Sequence, residues 1–142
     1  MTRIDFYSNA EPKLRVACQL VAKAIKHQSR VVVYAPDENT ARAFDKLIWT
    51  YQAIGFVPHS MAHHAPSSEI PFVIAREDVE LAHYQVILNL HGDSPPSFSR
   101  FERLVELVGT GEDDRQLARS RFRFYRDRGY EISHYDLSKS GV

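Results

Sequence analysis

Val31-Val32-Val33-Tyr34-Ala35-Pro36-Asp37-Glu38-Asn39 is the stretch on which the fold turns. Its first five residues run β-branched and apolar with little polar interruption, the pattern of a strand buried on both faces of a parallel sheet. Pro36 stops that strand. Asp37, Glu38 and Asn39 then supply capping residues for a helix predicted to continue to about Tyr51. A short buried strand feeding directly into a capped helix is the repeating unit of an α/β fold.

Outward from this unit the same alternation holds. Upstream, Ile4, Phe6 and Tyr7 read as a first strand, and Glu11-Pro12 opens a helix. Leu14, Ala17, Cys18, Val21, Ala22 and Ile25 recur along it at steps of three and four, on one face. Downstream, Phe56-Val57-Pro58-His59 reads as a brief extended segment and residues 60–68 as an exposed loop. Ile70 to Ala75 and Gln85 to Leu90 read as two more strands, with a helical segment from Glu77 to His83 between them. Ser94-Pro95-Pro96-Ser97 breaks the chain, and the spacing of Phe98, Phe101, Leu104, Val105 and Val108 predicts a helix stopped by Gly109 and Gly111. A last helix is predicted from Asp113 to about Arg128, with Gly129 ending it and Tyr130 to Tyr135 as a closing strand. There is no repeat, no low-complexity tract and no long linker. The expectation is one domain over residues 1–142, a three-layer α/β fold with a mainly parallel sheet.

Composition narrows the function classes. With 142 residues, 44% apolar and 25% charged, the chain has the make-up of an ordinary globular domain. Eighteen basic residues balance eighteen acidic ones, which argues against binding nucleic acid by bulk charge. No apolar run approaches a membrane span, and the start, Met1-Thr2-Arg3-Ile4-Asp5-Phe6-Tyr7, lacks a signal peptide's apolar stretch. The single Cys18 excludes an internal disulfide and a multi-cysteine zinc site. These features lead to the expectation of a soluble cytoplasmic domain.

Catalytic and cofactor motifs are missing. Glycines stand at 55, 92, 109, 111, 129 and 141, none of them after the first or second strand, where a Rossmann or P-loop phosphate cradle needs them. No cofactor is therefore expected. His59, His63 and His64 fall close together, but in a proline-containing stretch without the helix spacing of a metal site, so no metal is expected either. Cys18 sits among Val16, Ala17 and Leu20 as an inert buried thiol. His91-Gly92-Asp93 ends a strand, where α/β enzymes place reactive groups, and keeps open a small nucleotide-dependent enzyme as the alternative.

The chain's signal lies in its arginines. Thirteen arginines face five lysines, and six fall between Arg115 and Arg128; over Asp113 to Arg128 the only acids are Asp113, Asp114 and Asp127. Wound at 100° per residue, Arg115, Arg119 and Arg126 share one stripe, with Phe122 beside them and Arg123 close by. The opposite side carries Leu117, Phe124 and Tyr125, expected to seat the helix, while Arg121 and Arg128 reach its rim. Guanidinium groups grip carboxylates bidentately, so the stripe suits an acidic peptide bearing a hydrophobic residue better than a bare phosphate. A solvated basic face is the bland reading, and a weak direct nucleic-acid contact is a further one. Trp49, the only tryptophan, leaves the second helix on its non-core side, toward Arg42 and Asp45, away from Phe44, Leu47, Ile48 and Tyr51. An exposed tryptophan is a common binding anchor.

Three blocks carry a family resemblance: Asp5-Phe6-Tyr7, the run from Leu47-Ile48-Trp49 to Gly55-Phe56-Val57-Pro58-His59, and Gln116-Leu117-Ala118-Arg119-Ser120-Arg121-Phe122-Arg123-Phe124-Tyr125-Arg126. In this order and spacing the chain resembles the chi subunits of the bacterial DNA polymerase III holoenzyme over nearly its whole length. The resemblance implies a Rossmann-like fold and a non-catalytic accessory subunit of the replicative polymerase. It implies a partner, the acidic C-terminal tail of single-stranded DNA-binding protein, ending in a hydrophobic residue with a free carboxylate. It assigns that tail to Arg115, Arg119, Phe122, Arg123, Arg126 and Trp49. Phe56 corresponds to an aromatic that faces the psi subunit, the second implied partner, through which chi joins the clamp loader. Phe122 stands where a tyrosine can occur, and Arg115 and Arg123 where lysines can.

Overall fold

The computed structural model describes residues 2–50, 59–61, 72–75 and 84–140. Strand β1 (Arg3–Ser8) is followed by helix α1 (Lys13–Lys26), β2 (Val31–Tyr34) and α2 (Glu38–Thr50). Then come β3 (His59–Met61), β4 (Phe72–Ala75), β5 (Val86–Asn89), a single 3-10 turn at Phe98–Arg100 and β6 (Arg103–Leu107). The described part ends with α3 (Glu112–Asp127), β7 (Ile132–Asp136) and a short helix α4 (Leu137–Ser140). The strands form one seven-stranded sheet in the order β3-β4-β2-β5-β6-β1-β7, and every pairing in it is parallel. The expected three-layer α/β fold is thus present, with β1 near one end between β6 and β7.

The apolar residues divide between the two faces of the sheet. One core joins Val16, Val21, Ala41, Phe44 and Ile48 of α1 and α2 to Val33, Leu88, Val105 and Leu107. The other joins Ala118 and Tyr125 of α3 to Ile4, Phe6, Val32, Ile87 and Leu104. Helices α1 and α2 therefore cover one face, and α3 the other. Asp5 is buried beside β6, its carboxylate bonded at 2.6 Å by the Arg103 guanidinium, which ties the first strand to its neighbour.

The segment 98–108 departs from the sequence expectation. Instead of a helix it holds the 3-10 turn and the central strand β6. Phe98 and Phe101 are buried under α3, and Leu104, Val105, Glu106 and Leu107 are buried in the sheet. A strand covered on both faces lacks alternation, and the two phenylalanines lend it a helix-like spacing. His59–Met61 also forms a strand where an exposed loop was expected from residue 60. The Phe56-Val57-Pro58 segment and the helix expected at Glu77 to His83 lie outside the described residues.

Candidate functional site

Helix α3 is fixed to the sheet by a buried polar cluster. Glu106, fully buried on β6, accepts a bond from Arg121 Nε at 3.0 Å, one from Asn89 Nδ2 at 2.9 Å and one from the Tyr125 hydroxyl. Arg121 also donates from Nη1 to the Gly92 carbonyl at 2.6 Å, and Ser94 Oγ lies 3.0 Å from the Tyr125 oxygen. Burial pushes the Glu106 carboxyl upward in pKa, while the Arg121 charge and the bonds from Tyr125 and Asn89 pull it back. Burial and the neighbouring Glu106 both push Tyr125 far upward, so its hydroxyl stays a proton donor.

Tyr125 seats α3 as expected, but Leu117 and Phe124 do not. The buried residues of α3 are Ala118, Arg121 and Tyr125, while Leu117 and Phe124 are exposed at 45% and 36%. The helix is rotated so that an arginine with a buried carboxylate partner faces inward. Arg128 is exposed and stacks its guanidinium on the Phe124 ring, 3.6 Å from the ring centre. The end of α3 is set by Gly129, at φ +82°, with Tyr130 N–H bonded to the Tyr125 carbonyl and Gly129 N–H to that of Arg126. That pairing is a Schellman motif, which needs a left-handed residue where glycine stands.

A cleft of about 440 Å³ lies between α3 and the β1–β7 seam. Its floor is apolar, formed by Phe6, Val108, Ala118 and Phe122. Phe122 lies edge-on to Phe6, ring centres 5.6 Å apart. Arg115 and Arg119 bring two guanidiniums to its wall. Facing them are Ser8, Asn9 and His134, where Ser8 Oγ and His134 Nε2 stand 2.8 Å apart across the seam. Among the described residues Arg119 is held only by Glu112, at 3.4 Å, with both side chains more than half exposed. Such a surface pair contributes about 0–1 kcal/mol and yields readily to another carboxylate. An apolar hollow with two cations at its wall is suited to a group that is hydrophobic at one end and anionic at the other.

Arg115, Arg119 and Phe122 are thus brought together, as the sequence expects. Arg126, paired with Asp127 at 3.4 Å, and the exposed Arg123 extend the stripe along α3 beyond the cleft lining. Trp49 is 53% exposed on α2, on the other face of the sheet, and does not join the cleft. Phe56 lies outside the described residues. Sequence reasoning missed Ser8, Asn9 and His134, because the parallel pairing of β1 with β7 that gathers them spans more than a hundred residues. The His91-Gly92-Asp93 turn is occupied structurally. Asn89 Oδ1 accepts the His91 N–H, His91 Nδ1 accepts the Asp93 N–H, and Gly92 serves Arg121. Among the described residues no group of three or more His, Cys, Asp or Glu side chains gathers as a metal site, and no helix is long and apolar enough to cross a membrane.

Comparison with solved structures finds the same fold in the C-terminal domain of the DEAD-box protein Dbp5, with a TM-score of 0.65 and 8% identity, over 99% of this chain and 93% of that one. S. cerevisiae Dbp5 bound to RNA and ADP BeF3 matches with the same TM-score, at 9% identity, over 99% of this chain and 43% of that one. At such identity the likeness concerns the fold alone. Sequence comparison is closer. DNA polymerase III subunit chi of Pseudomonas aeruginosa is 34% identical over 143 residues, 98% of this chain and 99% of that protein. DNA polymerase III subunit chi of Escherichia coli is 26% identical over 133 residues, 93% of this chain and 88% of that protein. The family described as DNA polymerase III chi subunit, HolC, matches residues 1–133, and the chain belongs to that family.

Proposed function

We propose that the cleft between α3 and the β1–β7 seam receives the acidic C-terminal tail of single-stranded DNA-binding protein. The chain would thereby join the polymerase holoenzyme to coated single-stranded DNA, as a non-catalytic accessory subunit. One observation carries this reading: the Phe6–Phe122 floor and the Arg115 and Arg119 guanidiniums share one cleft. The tail's terminal hydrophobic side chain enters the apolar hollow, and its free carboxylate meets the guanidiniums. A shielded guanidinium–carboxylate contact contributes about 1.5–3 kcal/mol, enough to make a short peptide's affinity depend on it. Arg123 and Arg126, further along the stripe, meet the acidic residues upstream of the terminus. Psi is assigned to a separate surface at Phe56, on the strength of the family resemblance.

The reading is tested by titrating the protein with an aspartate-rich peptide that ends in a phenylalanine, beside single-stranded DNA of equal charge. Saturable peptide binding at a salt concentration that abolishes DNA binding supports it. Equal responses to both ligands would make the arginines a general anion surface.

A further inference from the structure

Asn9 follows β1 directly and takes φ +58°, in the left-handed region that residues other than glycine, asparagine and aspartate seldom visit. The side chain at this turn is engaged at both ends. Its Nδ2 donates to Asp136 Oδ1 at 2.8 Å, and its Oδ1 accepts from Arg115 Nη2 at 3.1 Å. The amide's orientation is dictated by its neighbours, since a carboxylate takes only a donor and a guanidinium only an acceptor. Asp136 Oδ1 also accepts the Ser138 N–H at 3.0 Å and the Ser138 hydroxyl at 2.6 Å. A chain of hydrogen bonds thus runs from the start of α4, across the end of β7, through Asn9 to an arginine that lines the cleft.

We propose that Asn9 is a positioning residue for the tail site, holding the Arg115 guanidinium at the cleft wall while leaving its charge free to act. This rests on the reading of the cleft as the tail site, and adds a residue that is remote from the arginine helix in sequence. The chemistry favours an amide here. A neutral oxygen orients the guanidinium without cancelling its charge, whereas Glu112 gives Arg119 an opposing charge in a loose exposed pair. A guanidinium ordered before the ligand arrives spares part of the entropy that freezing a long side chain costs on binding, a gain of roughly threefold to tenfold in affinity.

Two substitutions separate the roles. Asn9→Gly keeps the backbone conformation and deletes both side-chain bonds. Asn9→Asp keeps the shape, loses the donor toward Asp136 and pairs its charge with Arg115. Affinities for the aspartate-rich peptide ending in phenylalanine are measured by calorimetry in wild type, in both variants, in Arg115→Ala and in Asn9→Gly/Arg115→Ala. The expected result is a loss of about threefold to tenfold for Asn9→Gly, a larger loss for Asn9→Asp, and less than about a twofold effect of Asn9→Gly once Arg115 is gone. Equal losses from Asn9→Gly with and without Arg115, or an Asn9→Asp protein that binds like wild type, overturn the proposal while the tail site stands. A wild-type protein that fails to bind the peptide overturns the tail site, and the role of Asn9 with it.

Discussion

Phe6 of β1 and Phe122 of α3 meet edge to face with their planes at 61°, so the aromatic ring among the arginines is packed on the sheet at one edge and open at the other. That contact gives the cationic helix an apolar foothold at its base. A bare basic face has no such floor. The pairing of ring and guanidiniums in one hollow is what the proposed binding of a hydrophobic, anionic chain end rests on.

The hollow depends on how α3 is seated, and Glu106 sets the seating. With both members of the Glu106–Arg121 pair buried, removing the carboxylate strands a charge inside the protein, at a cost of about 3–5 kcal/mol. Glu106→Ala is therefore expected to lower the urea midpoint sharply. Arg121→Met added to it is expected to recover part of the loss, since it removes the uncompensated charge. A Glu106→Ala protein that unfolds like wild type would show that the pair does not anchor the helix.

The sheet was largely legible in the sequence, and the exceptions have physical causes. Val31 to Tyr34 and the caps of α2 report themselves locally, through β-branching and short polar side chains. Strand β6 does not, because its buried Glu106 breaks the apolar run while Phe98 and Phe101 imitate a helix period. The stripe of Arg115, Arg119 and Phe122 was legible from winding alone. Winding also turned Arg121 toward the seated side, but only to its rim; its full burial was not legible. Periodicity treats every arginine as a surface residue, and the carboxylate that draws this one in lies on a strand fifteen positions away. Asn9, Ser8 and His134 needed the β1–β7 register, which no local pattern encodes.

Cys18 is wholly buried in α1, and burial pushes its thiol up to about 11. The folded protein is expected to react with a disulfide reagent at pH 8 about a hundredfold more slowly than the urea-unfolded chain. Because the folded value lies above the unfolded one, the contribution of this thiol is fully present below about pH 8.5 and is lost as pH rises through about 11. Wild type should therefore lose stability relative to Cys18→Ala over that interval, read by denaturant unfolding at several pH values. Parallel curves for the two proteins would contradict the assignment.

Trp49 and the cleft lie on opposite faces of the sheet, so contributions from the two should be independent. Trp49→Ala and Arg119→Ala are expected to add in their effects on tail binding to within about 0.5 kcal/mol. Phe56→Ala is expected to abolish co-purification with psi and leave tail affinity unchanged. Strong coupling between Trp49 and Arg119, or a Phe56→Ala protein that melts early and loses both partners, would refute the assignment of separate surfaces.

The central claim is that the cleft grips a free terminal carboxylate through Arg119. Calorimetric titration of wild type and Arg119→Ala with the same acidic peptide, as free acid and as C-terminal amide, tests it most directly. The expected result is a loss of about tenfold or more from either change alone, little further loss from both together, and an unchanged melting temperature for Arg119→Ala. Equal affinity of wild type for the acid and the amide would contradict it.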